Sequence, residues 1–323
     1  MRQSIIDDMA AAFGIHCGEE EPVEGGWLNK KWRVTSDCGE LLVKRYSNRR
    51  FSVRGLEHID RAMLMQQTLC ERGVKCPKVF AADGHVLRTL SDGSVYMVME
   101  FCSGVTGDYR KLTLSQLESL GDACGEMKRE MAKLPTQDMK AYFTGGGALL
   151  SELRAYHEKR VSELSEDAPQ AYRAALERLP AILTSLTPAY LDSLEAGIAH
   201  EDFSPDNMLF ETDGLAAILD FDRMGVNFIL HDLGRVLLSL TLIDGRLDAI
   251  RVRAFARGYT RHLPFGAKDL ADALRVTWCI ETPWWVNLPL FSDPKLKIAR
   301  FRDELLWLTE NYFELDEICE GLL

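Results

Sequence analysis

A basic excess is the first thing missing from this 323-residue chain: 38 Lys and Arg stand against 49 Asp and Glu, for a formal net charge of -11. Phosphate backbones attract basic surfaces, so no nucleic-acid partner is expected. Long apolar runs are missing too. The strongest, Val236 to Ile243, is broken by Ser239 and Thr241 and is far too short to span a bilayer, so no membrane partner is expected either. The eight cysteines form no CxxC pair and follow no regular spacing, which fits reduced thiols better than a disulfide framework. There is no internal repeat and no low-complexity tract. The opening MRQSIIDDMAAAFGI carries acids inside its apolar pattern, unlike a signal or transit peptide, and a cytoplasmic location is the expectation. With 46% hydrophobic and 27% charged residues, the chain has the make-up of a globular protein of two domains or two lobes.

One stretch organises the rest: HEDFSPDNMLFETDGLAAILDFD, from His200 to Asp222. Asp202 lies two residues after His200 and five before Asn207. Two short apolar runs, Met208 to Phe210 and Ala216 to Leu219, flank Asp213-Gly214 and predict a β-hairpin. A hairpin returns Asp220 to the neighbourhood of Asn207 and Asp202. Three oxygen-bearing side chains then converge, a grouping suited to phosphoryl transfer. One carboxylate orients a hydroxyl proton, while an amide and a second carboxylate hold Mg²⁺ on ATP.

Around this stretch the spacing predicts a leading helix from Ile5 to Phe13 and then three strands. A Gly25-Gly26 loop separates the first two strands, and Lys44 ends the third. A glycine loop can bring N–H groups close to phosphates, and a neighbouring lysine can reach their oxygens. A helix follows from Val53 to Arg72, then strands near Val79-Phe80, Val86-Leu87 and Val95 to Phe101. From Thr113 onward the pattern turns helical; the helix over Ala267 to Cys279 precedes the segment Glu281-Thr282-Pro283-Trp284-Trp285, and an amphipathic helix over Lys295 to Tyr312 is followed by an acidic tail. The expected class is α+β, with a small antiparallel sheet in residues 1–102 and a mainly helical lobe in 103–323.

Taken together, these residues resemble the aminoglycoside phosphotransferase, choline kinase and homoserine kinase family, which has a protein-kinase-like fold. The resemblance implies that Asp202 is the catalytic carboxylate that takes or orients the substrate hydroxyl proton and that Asn207 and Asp220 hold Mg²⁺. It implies that Lys44 contacts the ATP phosphates beside the Gly25 and Gly26 loop. Met99 to Cys102, including Glu100, would form the hinge whose backbone binds adenine. Asp232 would brace the catalytic loop around His200. Two departures stand out: Glu201 fills a position usually small, and Phe203-Ser204 follow Asp202 where a second His is frequent. No helix acid falls where a simple match places the partner of Lys44, Glu57 being the best candidate with Asp60 behind it.

Only eleven residues separate Asp220 from Asp232, too few for the peptide platform of a protein kinase. The expected acceptor is therefore a small-molecule alcohol, an amino alcohol or aminoglycoside first, with homoserine or a sugar as the alternative. Trp284 and Trp285, beside Glu281, are candidates for binding a cationic amine, or else they pack against the core. Asp222 would approach metal or substrate, or satisfy backbone donors. From another class comes a nucleotide-binding pseudokinase, favoured by the missing helix acid and opposed by Asp202, Asn207 and Asp220 standing together.

Overall fold

The computed structural model describes residues 1–23, 29–47, 52–106, 109–293 and 299–323, so the Gly25-Gly26 loop lies outside it. Helix α1 (Gln3–Phe13) precedes strands β1 (Cys17–Pro22), β2 (Lys30–Ser36) and β3 (Gly39–Tyr46), then α2 (Val53–Glu71), β4 (Arg88–Thr89) and β5 (Val95–Glu100). The five strands form one antiparallel sheet in the order β1-β2-β3-β5-β4. Strand alternation decides what each side chain of β3 meets. Leu41 and Val43 join Val34, Tyr96, Val98 and the Ile5 and Met9 side of α1 in a small core. Lys44 and Tyr46 stand at alternate positions to Val43, and Tyr46 joins the main core with Met97.

The next elements are β6 (Val105–Thr106), α3 (Leu114–Met131), α4 (Gly146–Ser162), α5 (Gln170–Ser185) and α6 (Pro188–Ser193). Thr113 and Gln116 cap α3 reciprocally, satisfying donors the first turn leaves free. Then come β7 (Ala196–Ala199), β8 (Met208–Phe210), β9 (Leu215–Ile218), β10 (Gly225–Phe228) and α7 (His231–Thr241). The predicted hairpin is β8-β9, joined by β6 in a three-stranded sheet, while β7 pairs with β10. A short ribbon of β11 (Leu242–Ile243) and β12 (Arg246–Leu247) leads to α8 (Ala249–Tyr259) and α9 (Ala267–Trp285). The chain closes with α10 (Leu288–Ser292), α11 (Ala299–Asn311) and α12 (Leu315–Leu322). No helix among the described residues is long and apolar enough to cross a membrane.

Helices α7 and α9 pack closely because α7 carries Gly234. A Cβ there would sit 2.1 Å from the Ala273 carbonyl oxygen, a distance no packed side chain tolerates. This contact sets how the start of α7 meets the middle of α9.

Three expectations are corrected. Val79 makes only an isolated bridge to Met99, and the short strand forms at Arg88–Thr89 instead of Val86-Leu87. The helix over Ala267 to Cys279 continues to Trp285, with Pro283 inside its last turn. The missing proline N–H removes one bond there without ending the helix. The acidic tail is helix α12, which buries Leu315, Cys319 and Leu322 on one face and leaves its acids outside.

Candidate active site

Strand β7 delivers the chain into a loop whose every turn is fixed by its own polar groups. His200 is fully buried. Its ring Nε2 donates to the Leu219 carbonyl at 3.0 Å, and its Nδ1 accepts from the Asp202 N–H at 3.3 Å. One neutral imidazole thus pins both the backbone before Asp220 and the backbone of Asp202. Burial lowers the His200 pKa, in keeping with the neutral form. The Ser204 N–H donates to the Asp202 carbonyl at 2.9 Å, and the turn Pro205–Asn207 follows. The Asn207 Nδ2 also donates to that carbonyl, at 2.9 Å, which leaves its Oδ1 for a ligand. Phe203, where a second His was looked for, is buried with its ring edge-on to His200 at 5.6 Å.

Asp220 follows β9 with φ +63°, a left-handed conformation that turns its side chain out of the strand direction. There it meets Lys44 from β3: Nζ lies 2.9 Å from Asp220 Oδ1 and 2.7 Å from Asp222 Oδ2. The Tyr46 hydroxyl donates to the other Asp222 oxygen at 3.1 Å. Hence Asp222 does not cap backbone donors, and it supplies the acid for Lys44 that α2 does not. Glu57 is exposed. Asp60 instead accepts from the Val86 and Leu87 N–H groups, both at 2.8 Å, and contacts His85 Nδ1 at 2.6 Å. The electrostatics follow from burial and this cation. Burial pushes Asp202 and Asp222 up, whereas Lys44 outweighs burial at Asp220 and holds it down.

Asp232, at the start of α7, accepts the His200 N–H at 2.8 Å and the Glu201 N–H at 3.1 Å. Lys128 from α3 pairs with the same carboxylate in the interior. Glu201 itself has φ +67°, which explains why a small residue is usual there: left-handed backbone costs a side-chain-bearing residue roughly 1–2 kcal/mol. Its carboxylate turns inward, accepting from Asn227 Nδ2 at 3.0 Å and facing His231 Nδ1 at 3.5 Å. On the other side of that ring, His231 Nε2 lies 3.1 Å from Glu281 Oε1. Glu281 also holds the Trp285 indole N–H and lies 3.8 Å from Arg235, which pairs with Glu304 at 2.9 Å. Glu281 is therefore engaged inside the protein rather than presented to a ligand amine. Trp285 packs against Phe301 with the rings tilted and their centroids 4.4 Å apart, while Trp284 is 61% exposed.

In the segment expected to form the hinge, the Glu100 N–H donates to the Lys78 carbonyl at 2.8 Å, and Cys102 follows it, half-buried and outside regular structure. An open concavity of about 800 Å³ lies beside the hinge end, lined by Lys75, Gly104, Val105, Gln116 and the β8-β9 turn. None of Lys44, Asp202, Asn207 or Asp220 borders it. Sequence reasoning missed Tyr46, Lys128, Asn227 and His231, because each matters through a neighbour that only the fold supplies.

Comparison with known proteins decides the family. The profile of the phosphotransferase enzyme family matches residues 19–265. The chain belongs to this family. A homoserine kinase from Paramagnetospirillum magneticum is 26% identical over 281 residues, covering 83% of this chain and 80% of its own. One from Gluconacetobacter diazotrophicus is 28% identical over 306 residues, covering 88% and 84%. Among solved structures, an amicoumacin kinase in complex with AMP-PNP, Ca²⁺ and amicoumacin superposes with a TM-score of 0.65 at 15% identity, over 98% of this chain and 93% of that one. A GDP complex of aminoglycoside 2'-phosphotransferase-IIIa gives 0.63 at 16%, over 99% of each. The protein-kinase-like fold and the enzyme class, a kinase acting on hydroxyl groups of small molecules, are those read from the motif. The binding-only alternative is set aside.

Proposed function

We propose that this enzyme uses ATP and Mg²⁺ to phosphorylate the hydroxyl of a small amino alcohol, an amino-acid alcohol of the homoserine type ahead of an aminoglycoside. The observation that carries the reading is the gathering of Asp202 and Asn207 from one loop, Asp220 from the end of the hairpin and Lys44 from β3, three segments brought together by the fold. Asp202 orients the acceptor hydroxyl and takes its proton as the oxygen attacks the γ-phosphorus and ADP leaves. Its raised pKa, caused first by burial, suits a group that must accept a proton. The Asn207 Oδ1 and the Asp220 carboxylate are hard oxygen donors that fit Mg²⁺. When bound, the ion neutralises phosphate charge. Lys44 exchanges part of its contact with Asp220 and Asp222 for phosphate oxygens, so these acids keep it in place until nucleotide arrives. The hinge at Glu100 and Cys102 takes the adenine, and residues 1–102 act as the nucleotide lobe.

The preference for an amino-acid alcohol rests on two supports. The curated relatives named above are homoserine kinases. Arg223, an exposed cation whose charge partly offsets the burial that raises Asp202, offers a carboxylate-bearing acceptor a cation that a polycationic aminoglycoside does not need. Trp284 then forms part of the acceptor wall. A coupled ADP-release assay with L-homoserine, choline, kanamycin and glucose, run with ATP and with GTP, tests this. Turnover is expected with homoserine and ATP. Turnover with kanamycin alone would overturn the acceptor assignment, and none with any hydroxyl compound would overturn the reading itself.

A further inference from the structure

Glu201 stands between His200 and Asp202 in a conformation that suits glycine, yet it is a buried acid. Something must hold it. Its two carboxylate oxygens face Asn227 Nδ2 and His231 Nδ1, and the opposite nitrogen of the same ring faces Glu281 Oε1 at 3.1 Å. A neutral imidazole donates from one nitrogen only, so it would turn a lone pair toward one of these acids. Only the imidazolium serves both. At 3.5 Å the Glu201 side is an ion contact rather than a short hydrogen bond, and it is the charge that makes it favourable.

We propose that His231 is a positioning residue for phosphoryl transfer: as an imidazolium clamped between Glu201 and Glu281, it fixes the left-handed turn that presents Asp202 and ties that turn to the end of α9. The tie runs through named atoms. On the loop side, Asp232 holds the Glu201 backbone and His231 holds its side chain, so the residue before Asp202 is anchored at both ends. On the helix side, Glu281 takes the Trp285 indole N–H and stands one helical turn from the exposed Trp284. Arg235 and Glu304 extend the chain of charges to α11. A second link, Arg300 on Asp206 at 2.6 Å, joins α11 to the loop just before Asn207. The end of α9 and the turn before Asp202 are thus joined through one ring. Burial opposes protonation of His231, but the two carboxylates outweigh it and raise the ring to about 10.

The inference rests on the phosphoryl-transfer reading, and its test separates the two. With whichever acceptor the wild-type enzyme turns over, His231→Asn is expected to lower kcat roughly 10- to 100-fold, as small misplacements of reacting groups do. The KM for ATP should change less than about two-fold. Glu201→Gly removes both the strain and the acid, so adding His231→Asn to it should cost no further activity. A loss that falls on KM, or losses that multiply in the double variant, would overturn the proposal. Independently of turnover, nitrogen-15 NMR of the wild-type histidines at pH 8 should show one ring protonated at both nitrogens and missing from His231→Asn. A neutral His231 at that pH would equally overturn it. A wild-type enzyme inactive on every acceptor would sink the functional reading while leaving the NMR result to judge the clamp.

Discussion

Asp202 is held by what its neighbours do with their polar atoms. The imidazole of His200 accepts its N–H, and the Asn207 amide donates to its carbonyl. Asp202→Asn keeps those backbone contacts and removes the proton acceptor. Turnover should fall at least about 10³-fold while nucleotide affinity by calorimetry stays within about three-fold; comparable turnover would contradict the role. Lys44 gives a sharper contrast. Its acid partners lie after β9 and not on α2, so Glu57→Gln should leave the KM for ATP within about two-fold, whereas Asp222→Asn should raise it about ten-fold. The reverse order in steady-state kinetics would place the partner on α2 after all. His200, Asp202, Asn207, Asp220 and Lys44 were readable from residue type and spacing. The role of Asp222 was not, because an acid two residues past another looks redundant until β3 brings Lys44 and Tyr46 against it.

At the level of elements, the hairpin, α1, α2 and α3 were legible because their apolar periodicity is strong and their caps are marked by Ser52, Thr113 and glycine. Strands β7 and β10 were not. Each is four residues long, and Ala196–Ala199 carries no alternating pattern, so only their pairing with each other makes them strands. The end of α9 was obscured by Pro283, although packing on α7 and α11 carries the helix past it. The α7–α9 contact yields its own prediction. Gly234→Ala places a methyl group 2.1 Å from the Ala273 carbonyl, so the helices must part. Stability should fall by about 1–3 kcal/mol in urea melts. Because His231 and Glu281 ride on the same two helices, kcat should fall with it. An unchanged melting midpoint would show that the contact is softer than its geometry.

For the whole molecule, the buried charges couple folding to pH. His231 is raised from 6.5 to about 10, so its contribution to stability is fully present below about 6.5 and is lost as pH rises through about 10. Glu281, lowered from 4.5 to about 2 against burial by His231, Arg235 and Trp285, contributes above about 4.5 and loses this as pH falls through about 2. Glu201, Glu281, Asp232 and Arg235 are the charged groups around the His231 ring. Thermal melts across pH should therefore show an alkaline decline near 10 that is weakened in His231→Asn; identical declines in both proteins would assign it to other groups. The antiparallel sheet of the first hundred residues and the helices that follow were legible in the change from strand to helix patterns, whereas the docking of Lys44 onto Asp220 and Asp222 needed the fold. The central claim is that Asp202 drives transfer of the γ-phosphoryl group to a small amino-acid alcohol. Phosphorus-31 NMR of an incubation with MgATP and L-homoserine tests it directly. A phosphomonoester resonance is expected that grows as ADP forms and is absent with Asp202→Asn. Ester formation at the wild-type rate in that variant, or ADP released with inorganic phosphate alone, would contradict it.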